Sequence, residues 1–135
     1  MFSDIKDKLN TTTFRHILAA SVHDNSFELA EKKAAEYHNQ QNWKMHGWVE
    51  NGEILGICGF RILQNDRIEI LNFAVSSNAR KRGIGTAMIT ALKNDHSLPI
   101  HAETGDSTVD FLRKAGFHTT DQGKVGTKKW ACVLE

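Results

Sequence analysis

The residues best suited to chemistry form a basic turn rich in glycine. Arg80, Lys81 and Arg82 directly precede Gly83, and Gly85 follows at the start of a helical pattern. The first N–H groups of a helix have no intrahelical partner, and the helix macrodipole adds partial positive charge beside them. Glycine also lets a ligand approach the backbone closely, so the turn predicts a phosphate-binding site. The alternative is a solvated loop with an ordinary helix cap, and a short glycine pattern alone leaves both open.

A second candidate is the carboxylate of Glu69, which lies inside the apolar run Ile68–Val75. The two-residue period of a strand places Glu69 on one face with Leu71, Phe73 and Val75. A carboxylate in so apolar a strand needs a partner, a water molecule or a chemical role. One alternative is therefore a structural ion pair with an arginine or lysine on a neighbouring strand.

The composition restricts the class of protein. A chain of 135 residues with 40% apolar and 24% charged residues is typical of one globular domain, here residues 1–135. The net charge of +1 argues against a nucleic-acid partner. We see no apolar leader and no run long enough to span a bilayer, so we expect a cytoplasmic protein without a membrane partner. Cys58 and Cys132 are then reduced thiols, and no set of residues has metal-ligand spacing.

The basic turn must be positioned by a strand that precedes it and a helix that follows it. Hydrophobic periodicity, turn residues and helix caps predict the other elements. They are a strand at 2–5, a helix capped by Thr11–Thr13, a helix from Asn25 or Ser26 to about Gln40, strands at 44–49, 53–63 and 68–75, the helix after Gly83, a strand at 98–104, a helix with a Ser107-x-x-Asp110 capping box, and a hairpin ending in a strand at 130–134. The apolar faces of the two N-terminal helices are predicted to include Val22 and Phe27. This order predicts an α/β (α+β) fold, a mixed sheet with helices on both faces.

Two segments resemble a known family. Arg80-x-x-Gly83-x-Gly85 is similar to the R/Q-x-x-G-x-G/A signature of the GCN5-related N-acetyltransferase (GNAT) superfamily, and it follows a strand ending at Val75 as in that family. Asp110–Phe117 is similar to the family's F-Y-x-x-x-G-F element. The resemblance covers about Gly47 to Phe117. It implies a mostly antiparallel sheet of about six to seven strands in which strands four and five splay apart.

The resemblance also implies acetyl-CoA as acyl donor, with its pyrophosphate on the basic turn and the helix start. Freed backbone groups of the fourth strand would hold the pantetheine arm, and one N–H would face the thioester oxygen. The implied contacts are Phe73, Ala74, Val75, Arg80, Lys81, Arg82, Gly83, Ile84, Gly85 and Thr86. Some members have a glutamate at the position of Glu69 as general base, which would take the proton from an ammonium group before its nitrogen attacks. The implied reaction is direct acetyl transfer to a primary amine of a small molecule or a protein, and a homodimer stays open.

The chain departs from the family pattern at two positions. Leu112 replaces the tyrosine that protonates the departing thiolate in many members, and Gly105 replaces an asparagine. The proton could instead come from the hydroxyl of Ser107 or Thr108, or from water. The alternative is a non-catalytic domain that binds acyl-CoA as a sensor or partner module.

Overall fold

The computed structural model describes residues 1–22, 26–123 and 128–135. Within these ranges the chain forms seven strands and four α-helices, with short 3-10 turns at Lys6–Lys8 and Ser77–Ala79. The strands are β1 (Phe2–Asp4), β2 (Trp43–Glu50), β3 (Glu53–Leu63), β4 (Arg67–Val75), β5 (Ile100–Thr104), β6 (His118–Asp121) and β7 (Trp130–Leu134). The helices are α1 (Thr12–Ala19), α2 (Phe27–Asn39), α3 (Ile84–His96) and α4 (Asp106–Lys114).

The strands form one mixed sheet in the order β1-β2-β3-β4-β5-β7-β6. β4 and β5 are parallel, and the other neighbouring strands are antiparallel. One apolar core joins the sheet to α1 and α2, and a second joins it to α3 and α4. The predicted α/β sheet, mostly antiparallel and covered by helices on both faces, is confirmed.

β4 and β5 separate soon after they begin. Their register pairs Ile68 with Ile100 and Glu69 with His101. Among the described residues, no later pair joins the two strands. Beyond Glu69, the edge of β4 that faces β5 therefore has no strand partner. The splay predicted from the family resemblance is confirmed.

A β-bulge changes which residues of β4 share a face. Gly59 pairs with Asn72 and the next residue of β3 pairs with Ile70, which leaves Leu71 without a partner. Leu71 packs in the core with α1 and α2, whereas Phe73 packs in the core with α3 and α4. The prediction that Phe73 and Val75 share the face of Glu69 and Leu71 is therefore wrong. The bulge adds one residue, so the strict alternation ends there.

Two predictions about helix residues also need correction. Phe27 is the first residue of α2 and remains 40% exposed, where the periodic pattern predicted burial. Val22 lies beyond the end of α1 at Ala19, so it is not part of that helix face. Phe27 begins its helix and Val22 follows the end of its helix, so neither is held on the face that the periodic pattern assumes.

The helix starts are partly as predicted. Thr11 and Ser26 cap α1 and α2, each accepting a hydrogen bond from the backbone N–H three residues on. Asn25, the other predicted cap, lies outside the described residues. The predicted capping box of α4 is wrong: Gly105 is the N-cap and contributes no side chain, while Ser107 already lies in the first turn.

Candidate active site

The basic turn, residues 80–85, passes into α3 through glycines that serve different purposes. Gly83 has a φ of 78° at the N-cap position, in the left-handed region that favours glycine. A Cβ at Gly83 would meet nothing within 4 Å, so conformation alone accounts for this glycine. A Cβ at Gly85 would lie 2.9 Å from the Phe111 ring, so close packing accounts for the second. The two glycines of the predicted phosphate-binding turn thus each meet a structural requirement.

The cations of the turn are not equivalent. Arg82 donates to Glu50 Oε1 at 2.7 Å, and Trp48 Nε1 donates to the other oxygen at 3.1 Å. These two hydrogen bonds lower the pKa of Glu50, and the one from Arg82 has the larger effect. Arg80 Nε lies 3.4 Å from the Val75 carbonyl oxygen. Sequence reasoning missed Glu50, because its hairpin is far from the turn in the sequence. No local pattern indicates that the two come close in the fold.

Phe73, Ala74 and Val75 lie on the unpaired edge of β4, as expected for a strand that could hold an acyl chain. Phe73 stacks on Phe111 of α4 with ring centroids 5.7 Å apart, on the face that also carries α3. Ala74 is buried on the opposite face, against α1 and α2. A Cβ at Gly85 would lie 3.6 Å from the Phe73 ring, so the strand segment and the start of α3 adjoin.

A cavity of about 790 Å³ opens where β4 and β5 separate. Its wall includes residues from the end of α1, from α2, from both splayed strands and from the start of α4. Ser107, Thr108 and Leu112 are all among them, as is Gly105. Both hydroxyl residues suggested by the sequence therefore line the same cavity as the leucine that replaces the expected tyrosine.

Glu69 lies outside the wall of this cavity and has an ion-pair partner. Arg61 Nη2 and Nε lie 2.8 and 3.0 Å from Glu69 Oε1, and Arg61 is on the neighbouring strand β3. This is the contact that the structural alternative required. A role for Glu69 as general base stays a prediction.

The chain's only tyrosine does not replace the missing acid. Tyr37 is fully buried, and its hydroxyl donates to Asn72 Oδ1 at 2.6 Å. Burial raises the pKa of Tyr37 well above its ordinary range. Asn72 lines the cavity, and sequence reasoning passed over it although an amide inside an apolar strand is a signal of the same kind as Glu69.

Other candidate chemistry is not supported in the part of the chain that the structure covers. Cys58 is completely buried, and burial raises the pKa of its thiol to about 12. The described residues contain no group of three or more histidine, cysteine, aspartate or glutamate side chains placed to hold a metal ion. None of the described helices combines the length and apolar character needed to cross a membrane.

Comparison with known proteins places this geometry in a family. The model of the Acetyltransferase (GNAT) family matches residues 11–117. An N-acetyltransferase of Bacillus methanolicus, named as uncharacterized in the lysA 3′ region, is 22% identical over 78 residues, which make up 58% of this chain and 65% of that protein. This match spans less than two thirds of that relative's length.

Solved structures of two proteins show the same fold. A GNAT-family protein of Desulfovibrio desulfuricans has a TM-score of 0.78 and 17% identity, covering 100% of this chain and 98% of that one. The PaiA N-acetyltransferase of Thermoplasma acidophilum, solved in complex with coenzyme A, has a TM-score of 0.77 and 14% identity over the same shares. The family model covers most of the chain and the splayed sheet agrees with it, so the chain belongs to the acetyltransferase (GNAT) family.

Proposed function

We propose that this protein transfers an acetyl group from acetyl-CoA to a primary amine by direct attack in a ternary complex. The observation that carries the proposal is the splay of β4 and β5, which leaves one edge of β4 unpaired beside a cavity of about 790 Å³. Family membership supports acetyl transfer as the reaction class. The primary amine and the direct attack go beyond what family membership alone supports.

The proposed donor site joins the unpaired strand edge to the basic turn. Backbone groups of Phe73, Ala74 and Val75 would bond the pantetheine arm. The turn and the first residues of α3 would hold the pyrophosphate through N–H groups and positive charge. The contributing residues are Arg80, Lys81, Arg82, Gly83, Ile84, Gly85 and Thr86. Because the ion pair with Glu50 partly neutralises Arg82, we assign the larger share of the electrostatic attraction for the pyrophosphate to Arg80 and Lys81.

In the proposed reaction the amine nitrogen attacks the thioester carbonyl carbon. A nitrogen–carbon bond forms, the carbon–sulfur bond breaks, and CoA leaves as a thiolate. The nitrogen loses two protons between the ammonium and the amide, a first one before attack and another after it. The thiolate takes up one proton, and the remaining one goes to the solvent. Most of the rate gain would come from positioning and from N–H groups that stabilise the negative charge on the carbonyl oxygen.

Glu69 is the proposed base for the first proton. Both Arg61 contacts go to Oε1, so Oε2 is the oxygen left to accept a proton, directly or through water. Glu69→Gln should then lower turnover roughly tenfold or more and alter its pH dependence, since general bases contribute at least that much. Turnover equal to wild type across the pH range would rule out this role.

Ser107 and Thr108 are the proposed donors of the proton that the thiolate takes up, since both residues line the cavity together with Leu112. Ser107→Ala and Thr108→Val each remove one hydroxyl and keep most of the side-chain volume. A fall in turnover in one of them, with unchanged acetyl-CoA affinity, would identify the donor. Unchanged turnover in both would leave water as the acid.

The decisive first experiment is thermal unfolding with and without acetyl-CoA. One-site binding at about a hundredfold excess over Kd stabilises the folded state by roughly 2.7 kcal/mol, a rise of several degrees in Tm. Arg80→Glu with Lys81→Glu should abolish the rise. Lys8→Glu with Lys114→Glu, which changes net charge equally at exposed positions elsewhere, should retain it. No rise for the wild type at millimolar acetyl-CoA would refute the proposal.

A second candidate function is acyl-CoA binding without catalysis. It is favoured by Leu112, which occupies the cavity wall where many family members have an acid. Retained acetyl-CoA binding together with no thiol release for any amine in a broad panel would favour it. Thiol release that depends on both an amine and the basic turn would exclude it.

A further inference from the structure

A chain of hydrogen bonds, buried between Tyr37 and Asn72 and partly buried beyond Asn72, links both N-terminal helices to β4 beside the cavity. The Tyr37 hydroxyl donates to Asn72 Oδ1 at 2.6 Å, and Asn72 Nδ2 donates to Ser21 Oγ at 3.0 Å. The Ser21 hydroxyl in turn donates to the Leu18 carbonyl oxygen at 2.7 Å. The chain thus runs from α2, by way of Asn72 on β4, to the residues at and just after the end of α1, and every donor points the same way.

The core is shaped around this chain. Asn72 is only 7% exposed, and Tyr37 is completely buried. A Cβ at Gly59 would lie 1.9 Å from the Tyr37 hydroxyl oxygen, so the glycine leaves room for that hydroxyl. Buried polar groups of this kind are costly unless each is bonded, and a bonded network fixes one geometry. The chain therefore holds Asn72 in a defined orientation.

Asn72 lies where β4 keeps its pairing with β3 but no longer pairs with β5. It directly follows Leu71, which the bulge leaves unpaired, and it lies beyond Glu69, where pairing with β5 ends. Asn72 and Ser21 both line the cavity. The side-chain network ties this part of β4 to α1 and α2, on the face opposite α3 and α4.

We propose that Tyr37 and Ser21 are positioning residues, which hold Asn72 and through it the β4 bulge against the acyl group of a bound acyl-CoA. This inference rests on the proposed function, since it assigns the acyl group to that edge of β4. Loss of either hydroxyl lets the strand edge move. The thioester carbonyl then loses part of its polarisation, while the distant phosphate contacts of the basic turn are unaffected.

The test compares the wild type with Tyr37→Phe and Ser21→Ala, each of which removes one hydroxyl. Ile5→Val is the matched control, a conservative change in the same core at a side chain that forms no hydrogen bond of the chain. The readouts are acetyl-CoA affinity, the carbonyl stretch of bound isotope-labelled acetyl-CoA, and amine-dependent thiol release. We expect affinity within about twofold of wild type, a carbonyl stretch shifted toward that of free acetyl-CoA, and thiol release lowered roughly tenfold, the rate effect of about 1.4 kcal/mol. Ile5→Val should change none of these.

The outcomes separate the inference from the function on which it rests. If both hydroxyl variants are less stable but keep the wild-type carbonyl stretch and thiol release, the chain is only structural and the inference is wrong. If Tyr37→Phe does not fold, Ser21→Ala at the cavity wall decides the question with the same readouts. If the wild type binds no acetyl-CoA, the proposed function fails and the inference fails with it.

Discussion

Glu50 is the residue that most changes the chemistry expected of the basic turn. Three adjacent cations suggest a strongly positive anion site, but one of them, Arg82, is paired with this carboxylate at 2.7 Å. A carboxylate so close to a proposed phosphate site opposes the binding of an anion. The Trp48 N–H on its second oxygen holds it in place.

Glu50→Gln should therefore tighten acetyl-CoA binding severalfold and make the affinity more dependent on salt. The amide can still accept from Trp48, but it no longer neutralises Arg82, and exposed charges act more strongly at low ionic strength. Titration calorimetry at two salt concentrations measures both effects. Glu53→Gln, close by at an exposed position without that ion pair, is the control. Unchanged affinity in Glu50→Gln would mean that Arg82 does not act on the phosphates.

At the residue scale, the sequence predicted the groups that belong to local patterns. The basic turn was identifiable because its cations and glycines are adjacent in the chain. Glu50 and Tyr37 could not be found this way, since each meets its partner across more than thirty residues. For Glu69 the sequence left two roles open, a general base and a structural ion pair. The ion pair needed a cation on a neighbouring strand, and Arg61 on β3 supplies it.

At the element scale, the start of α3 is fixed by packing as well as by conformation. Gly85 is in the first turn of α3, where the Phe111 ring lies close enough to exclude a side chain. Phe111 is itself held by stacking on Phe73. The three residues therefore connect the basic turn, the splayed strand and α4.

A double-mutant cycle between Gly85 and Phe111 tests this connection. Gly85→Ala should destabilise the protein by about 1–3 kcal/mol, the usual cost of overpacking. In a Phe111→Leu background the same change should become neutral or stabilising, because alanine gains roughly 0.5–1 kcal/mol over glycine in a helix once the clash is gone. Urea unfolding of the four proteins measures the coupling. Additive effects would show that the ring does not limit the space at Gly85.

The elements themselves were largely predictable, and the exceptions have local causes. Hairpins, caps and apolar periods predicted the order of strands and helices, and Gly116 lies beyond α4 at a φ of 103°, as a helix-ending glycine should. The bulge at Leu71 was not predictable in position, because a bulge needs only one extra residue and has no fixed sequence. It nevertheless decides which side chains of β4 face the cavity.

At the scale of the whole molecule, one histidine at the β1–β2 end of the sheet should affect the stability of the fold. His46 on β2 lies between the rings of Phe2 and Phe60, with each centroid 5.1 Å away. Its Nδ1 is buried and has no hydrogen-bond partner among the described residues. Burial lowers the pKa of His46, and the nearby Asp4 only partly opposes this shift. The folded state therefore favours the neutral imidazole.

This histidine should make the stability of the fold depend on pH. Between its lowered folded pKa and its ordinary value of 6.5, the unfolded chain binds more protons than the folded one, so the free energy of unfolding falls as pH falls through that window. His46→Phe removes the titrating group and keeps a ring between Phe2 and Phe60, so its stability should decline less between about pH 7 and pH 5. Urea unfolding across this range measures the difference, with His118→Gln on the exposed strand β6 as the control. Equal slopes for wild type and His46→Phe would place the source of acid sensitivity elsewhere, and a steeper slope in the variant would contradict the sign of the shift.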